Sequence, residues 1–316
     1  MRQITIILAA LALMGSQIAC CAIPVRRMPD IELPDVDIEI PDIDIEVPTF
    51  EAGEMQDVSK EISLAGAELA TIEVKFGAGK LSVETGAAGQ RFSGRFRYNV
   101  ERWEPEVTYE GDVLTIRQGG TEEDWGIPTG DVHNEWELAF PPDVPLEMDF
   151  KVGAGQGALD LTGLQLEGLD IDIGAGDFDV RFDEPNQARM SRLTLDTGAS
   201  RLEMTGIGNA GPARMTVQGG VGDITLDFTG NWPTDWNNTH SAEVEITTGV
   251  GSVTLNLPDD VGVRVETKGG LTDVDVSGFR RTGDAYVNDA FGETETELHI
   301  QVTTGIGSLR LLEVSN

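Results

Sequence analysis

A strand pattern that breaks on Gly-x-Gly recurs from residue 72 to the end of this chain, and it leaves few folds open. It reads Ile72-Glu-Val-Lys-Phe-Gly77-Ala-Gly79-Lys-Leu-Ser-Val, then Phe150-Lys-Val-Gly153-Ala-Gly155. It is clearest in Leu169-Asp-Ile-Asp-Ile-Gly174-Ala-Gly176-Asp-Phe-Asp-Val-Arg-Phe182. Further copies centre on Gly198-Ala-Ser200, Gly220-Val-Gly222, Gly249-Val-Gly251, Gly269-Gly270 and Gly305-Ile-Gly307. In the central region they recur about every 20 to 29 residues, the range of repeat architectures.

Apolar residues alternate with polar ones on both sides of each glycine pair. A period of two gives a strand with one buried and one wet face. In the copy at 169–182, Leu169, Ile171, Ile173, Phe178, Val180 and Phe182 are expected to face in. Asp170, Asp172, Asp177 and Asp179 are expected to face out. Glycine at the break supplies a positive φ and lets neighbouring backbones approach. No segment carries a convincing helical period. The expected fold class is therefore all-β: stacked β-hairpins or a β-solenoid over residues 141–316, each unit burying its face on the next. Residues 51–140 are less regular and richer in aromatics (Phe92, Phe96, Tyr98, Trp103, Tyr109), and read as an N-terminal β module that starts the stack. Two insertions, Asn231–Ser241 and Gly278–Gly292, interrupt the later copies.

The run Glu61-Ile-Ser-Leu-Ala-Gly-Ala-Glu-Leu-Ala-Thr-Ile-Glu-Val-Lys-Phe-Gly-Ala-Gly-Lys-Leu, followed by Phe96-Arg-Tyr-Asn-Val-Glu-Arg-Trp-Glu-Pro-Glu-Val, resembles the N-terminal module of the bacterial toast-rack family. The stretches Gly219-Gly-Val-Gly-Asp-Ile-Thr-Leu-Asp-Phe and Thr248-Gly-Val-Gly-Ser-Val-Thr-Leu are similar to that family's repeats. Those repeats in turn resemble the C-terminal domain of LiaF-type envelope-stress proteins. The resemblance spans residues 55–316 and implies an envelope-exposed β stack, with no catalytic residues to carry over.

Residues 1–20 read as an export signal: Arg2, an apolar run from Ile4 to Met14, then small and polar residues to Ala19-Cys20. The run is short for a membrane span. Gln17-Ile-Ala-Cys20 is similar to a bacterial lipobox, with Gln17 where Leu is usual. Cys20 is thus the candidate lipidation site, its thiolate being the nucleophile that takes the lipid. Several acyl chains on one terminus would anchor the chain stably to a membrane. The competing readings are a simple signal peptide cut after Ala19 or Ala22, and an uncleaved anchor. Residues 21–50 repeat a proline followed by alternating acidic and β-branched residues, from Pro29-Asp-Ile-Glu-Leu to Pro48. Regular proline and like charge favour a stiff, extended tether, with an edge strand of the first sheet as the rival reading.

A formal charge of -33 argues against nucleic acid as a partner, because phosphate recognition needs clustered Lys and Arg. The two cysteines, Cys20 and Cys21, are adjacent, so no disulfide framework crosses the fold. His133, His240 and His299 lack metal-ligand spacing, and no metal or cofactor is expected. Gly198-Ala-Ser200-Arg-Leu202 misses the second glycine of a nucleophile elbow. Gly206-Ile-Gly208-Asn-Ala-Gly211 matches a dinucleotide fingerprint by letter, but Pro212 and a strand follow where a helix is required. Gly77-Ala-Gly79-Lys80 lacks the remainder of a phosphate loop. No catalytic residue is assigned.

The leading expectation is a non-catalytic, envelope-anchored surface protein on the extracytoplasmic face. It would be a scaffold, an adhesin-like module or an envelope-stress partner, contacting another envelope protein or a glycan. One alternative is a glycan-active β-solenoid enzyme, marked by acidic residues lining a groove beside exposed Trp125, Trp232 or Trp236. The other is a calcium-binding adhesin, with Asp170, Asp172, Asp177 and Asp179 converging across the turn.

Overall fold

In the computed structural model each Gly-x-Gly lies inside one long bent strand, not between the two strands of a hairpin. The structure describes residues 49–120, 127–234 and 241–316, all within the unit Val47–Asn316. It begins with β1 (Thr49–Glu51), β2 (Gln56–Ser63) and the first long strand, β3 (Ala70–Thr85). There follow β4 (Arg91–Tyr98), β5 (Pro105–Glu110), β6 (Val113–Gln118), β7 (Ile127–Thr129) and β8 (Asn134–Phe140). The repeats supply β9 (Pro145–Asp160), β10 (Gln165–Arg181), β11 (Arg192–Thr205), β12 (Arg214–Asp227), β13 (Ser241–Pro258) and β14 (Gly262–Ser277). A short hairpin, β15 (Arg280–Thr282) and β16 (Ala285–Val287), precedes the last strand, β17 (Glu297–Val314).

Neighbouring long strands pair in parallel with their corners in register, Ala154 beside Ala175 and Gly155 beside Gly176. This selects the solenoid-like form of the expected all-β stack over the hairpin form. The physical reason lies in β10. Ile173 and Phe178 are both buried, although five positions separate them and a flat strand would place them on opposite faces. The corner reverses the facing. Gly176 has φ +142°, and a Cβ there would overlap the carbonyl oxygen of Gly155 on the rung below. The two half-strands then fold over one core. Leu169, Ile171 and Ile173 line one wall, and Phe178, Val180 and Phe182 the other, all buried as their alternation predicts.

At the N-terminal end the stack divides. Residues 71–75 of β3 pair with β6, which pairs with β5. Residues 80–85 pair instead with β8, which continues to β4 and β2 by antiparallel pairing. The corner at Gly77–Gly79 therefore has no further corner above it. Buried Gln118 and Asn134 take that place. The Gln118 Oε1 accepts from the Gly77 amide at 3.0 Å, while Asn134 Nδ2 donates to the Ala78 carbonyl at 2.7 Å and to Gln118 Oε1 at 2.8 Å. Trp136 plugs the same end, its ring 5.0 Å from that of Phe76 and 5.1 Å from that of Phe96.

At the other end the strands do not stack in chain order. The last strand, β17, lies between β13 and β14. The Gly305-Ile-Gly307 corner of β17 pairs with β13 without a register shift, whereas its pairing with β14 shifts register at Gly269/Leu271 and Leu271/Asp273. The irregular strand goes outside, and β16 with β15 covers its first half.

The expected tether meets the described residues only at its end. Thr49–Glu51 pairs in parallel with Ile127–Thr129 as a separate two-stranded sheet, not as an edge of the main one. Cys20, Cys21 and the Pro-rich units lie outside the described residues.

Candidate functional site: a polar groove across four rungs

Outward positions of a parallel stack form straight rows, because in-register strands carry corresponding side chains past one another about every 4.8 Å. Two such rows cross β12, β13, β17 and β14. The first is Arg214, Glu243, His299 and Arg264; the second is Thr216, Glu245, Gln301 and Glu266. Between them lies an open groove of about 420 Å³.

Most of its charges are paired. The Arg264 guanidinium donates to Glu266 at 2.7 Å, and this hydrogen bond holds the Glu266 carboxyl below its ordinary pKa. His299 sits between two carboxylates, Nε2 3.0 Å from Glu297 and Nδ1 3.6 Å from Glu243. By contrast, no ion pair or side-chain hydrogen bond engages Arg214 or Glu245 among the described residues. They stand diagonally on adjacent strands, an exposed cation and an exposed anion. Such a surface can bind a polar partner through charge and hydrogen bonds. The Arg264 contact favours the charged form of Glu266.

The sequence-derived candidates separate. His299 enters the groove, His133 is exposed beside Asp131, and His240 lies outside the described residues. Asp170 and Asp172 lie on one wall and Asp177 and Asp179 on the other, so the corner turns them apart instead of bringing them together. Asp170 pairs with Arg192 at 2.7 Å and Asp177 with Arg201 at 3.2 Å. Among the described residues no group of three or more His, Cys, Asp or Glu is placed to hold a metal ion. Ser200 is buried at the second-glycine position of its corner.

Gly206–Gly211 contains a single helical turn, α1 (Ile207–Ala210), with Ile207, Gly208 and Ala210 buried. A Cβ on Gly208 would meet the Trp232 ring and the Thr229 carbonyl, so this glycine serves packing. Trp232 is 8% exposed. It stacks on Phe228, donates from Nε1 to the Phe228 carbonyl at 2.7 Å, and so acts as a cover, not a sugar platform. Trp125 and Trp236 lie outside the described residues.

The groove was missed because its residues are far apart in the chain. A signal existed. Arg214, Glu243, Arg264 and His299 each stand six residues before a corner glycine (Gly220, Gly249, Gly270 and Gly305). Aligning copies on that glycine assembles the row.

Residues 51–205 match the family described as the N-terminal domain of toast_rack, DUF2154, which supports the toast-rack resemblance over that stretch. No curated protein matches the chain. Among solved structures, a Clostridium sporogenes ATCC 15579 protein described provisionally as a cell adhesion protein is 22% identical. It covers 83% of this chain and 100% of its own, with TM-score 0.45. A Bacteroides fragilis NCTC 9343 protein described provisionally as an adhesin is 13% identical, covering 83% of this chain and 100% of its own with TM-score 0.38. Another, from Parabacteroides merdae ATCC 43184, is 9% identical, covering 84% and 99% with TM-score 0.27.

Proposed function

We propose that this chain is a non-catalytic exported surface protein that binds a polar envelope partner, protein or glycan, across the outer face of its β stack. Residues 1–20 direct export, Cys20 carries the lipid that holds the chain to the membrane, and residues 21–50 space the stack from it. The stack begins with the module 51–140 and continues through the repeats 141–316. The observation that supports the binding reading is the open groove with an unpaired Arg214 and Glu245 set among satisfied ion pairs. The resemblance to LiaF-type repeats adds an envelope-stress partner as one form such a contact could take.

The test is retention of the chain on immobilised envelope glycans and membrane-protein fractions, compared with an Arg214→Ala/Glu245→Ala variant. Retention that falls about tenfold or more in the variant supports the groove as the contact. Equal retention of the two chains rejects it. Three carboxylates in one groove also favour a second reading, glycan hydrolysis. Release of shortened glycan by the wild-type chain, lost on Glu245→Gln, would replace the binding proposal. Mass spectrometry of the mature N-terminus decides lipidation, since a diacylglyceryl adduct must appear on Cys20.

A further inference from the structure

Besides Met55, the exposed large hydrophobic side chains among the described residues are Val221, Val250 and Ile306, at 59%, 47% and 63% exposure. These three are register partners on adjacent strands, each the middle residue of its Gly-x-Gly corner. They form one ridge along the outside of the corner, with a side chain about every 4.8 Å. Glycine flanks every member: Gly220 and Gly222, Gly249 and Gly251, Gly305 and Gly307. The ridge therefore stands between two gutters that hold no side chain. On the earlier rungs the same row holds only Ala78, Ala154, Ala175 and Ala199, and charged Lys80, Asp177 and Arg201 stand close by. Beside the ridge the corresponding positions are Asp223, Ser252 and Ser308, so one charge remains.

From this shape we infer that the corner is a homotypic contact: the ridge of one chain lies in the glycine gutter of a second copy, and the reverse. The surface is convex, so it does not enclose a small molecule. The depression beside Val221 and Val250 is only about 10 Å³. A second copy supplies a ridge of matching spacing and a gutter of matching width, the self-complementarity a two-fold contact requires. Charge points to the same occupant. Two chains of -33 repel wherever their acidic faces meet, and this nearly neutral strip lets them touch without opposing like charges. Three half-exposed aliphatic side chains fall well below the roughly 800 Å² per partner of a standard stable interface. The contact is accordingly weak and reversible, suited to chains concentrated on one membrane. It is independent of the groove.

The experiment uses the full exported chain with Cys20→Ser and Cys21→Ser, so that neither lipid nor native thiol contributes. Sedimentation velocity over a concentration series should show self-association that strengthens with salt, as screening relieves the mutual repulsion. Val221→Ser/Val250→Ser/Ile306→Ser should weaken it about tenfold or more at an unchanged melting temperature, since all three side chains face solvent. As a positional check, Val250→Cys should cross-link between chains under mild oxidation much faster than Thr254→Cys, which faces outward on the other wall of the same strand. A chain that stays monomeric at every concentration in high salt overturns the inference. So does association indifferent to the triple substitution, or equal cross-linking at the two positions.

Discussion

The N-terminal end of the stack and its middle use the same corner but solve its exposed backbone in different ways. In the middle, one Gly-x-Gly rests on the next, and the backbone of each rung fills the space a side chain would need. At β3 no further corner follows, and Gln118 and Asn134 satisfy the corner with side-chain amides while Trp136 packs against Phe76 where the sheet branches. Repetition is thus stabilised by the absence of side chains, and termination by their presence. A stack of this kind behaves nearly as a one-dimensional array, so defects in its middle and at its end should differ in reach.

The sharpest way to break the comparison is Gly176→Val. The new Cβ would overlap a carbonyl on the rung below at a backbone φ that valine avoids, and neither backbone can move alone. A loss above about 4 kcal/mol is expected, seen as a failure to unfold cooperatively in urea. Trp136→Ala should cost about 3 kcal/mol, because a fully buried ring leaves a cavity between Phe76 and Phe96. Hydrogen exchange should then rise in β4 and β8 while β12 and β13 stay protected. Equal loss of protection at both ends would refute the array picture.

Gln118→Ala should cost about 1–3 kcal/mol by leaving buried polar groups unpaired, with fraying confined to residues 77–79 and 134 in the same exchange measurement. The smallest effect concerns charge within the rungs. Burial, and then the neighbouring Asp172 and Asp170, raise the pKa of Asp196 above its ordinary value. The fold therefore penalises its charged form. That penalty is full above the folded pKa and vanishes below the unfolded one. Asp196→Asn should raise stability at neutral pH by less than about 1 kcal/mol, since the group is partly solvated. The gain should shrink as the pH falls through the carboxylate range. A gain that persists in acid would assign the effect to something other than this charge.

The candidate site divides along similar lines. Which residues point outward was legible from alternation alone, Glu243 and Glu245 against Val244 and Ile246, for example. That Arg214, Glu243, His299 and Arg264 form one row was not, because β17 reaches the row only by passing between β13 and β14. The choice between hairpin and solenoid stayed open at the corner for a related reason. A glycine pair between alternating strands is compatible with a chain that turns back and with one that bends onward. Only the partner strand decides between them.

By itself, then, the sequence determined the all-β class, the inward set from Leu169 to Phe182, the positions of the corners and the acidic outer face. Side-chain direction alternates along any strand, and glycine marks where the backbone must leave ordinary space, so these are local properties. Tertiary structure alone decided parallel over hairpin pairing, the interior place of β17, the amide closure at β3 and the groove. The corners are nearly alike in sequence, so local pattern cannot say which rests on which. The order β13–β17–β14 is set by contacts far apart in the chain, with β17 pairing in unbroken register with β13 and with shifts along β14.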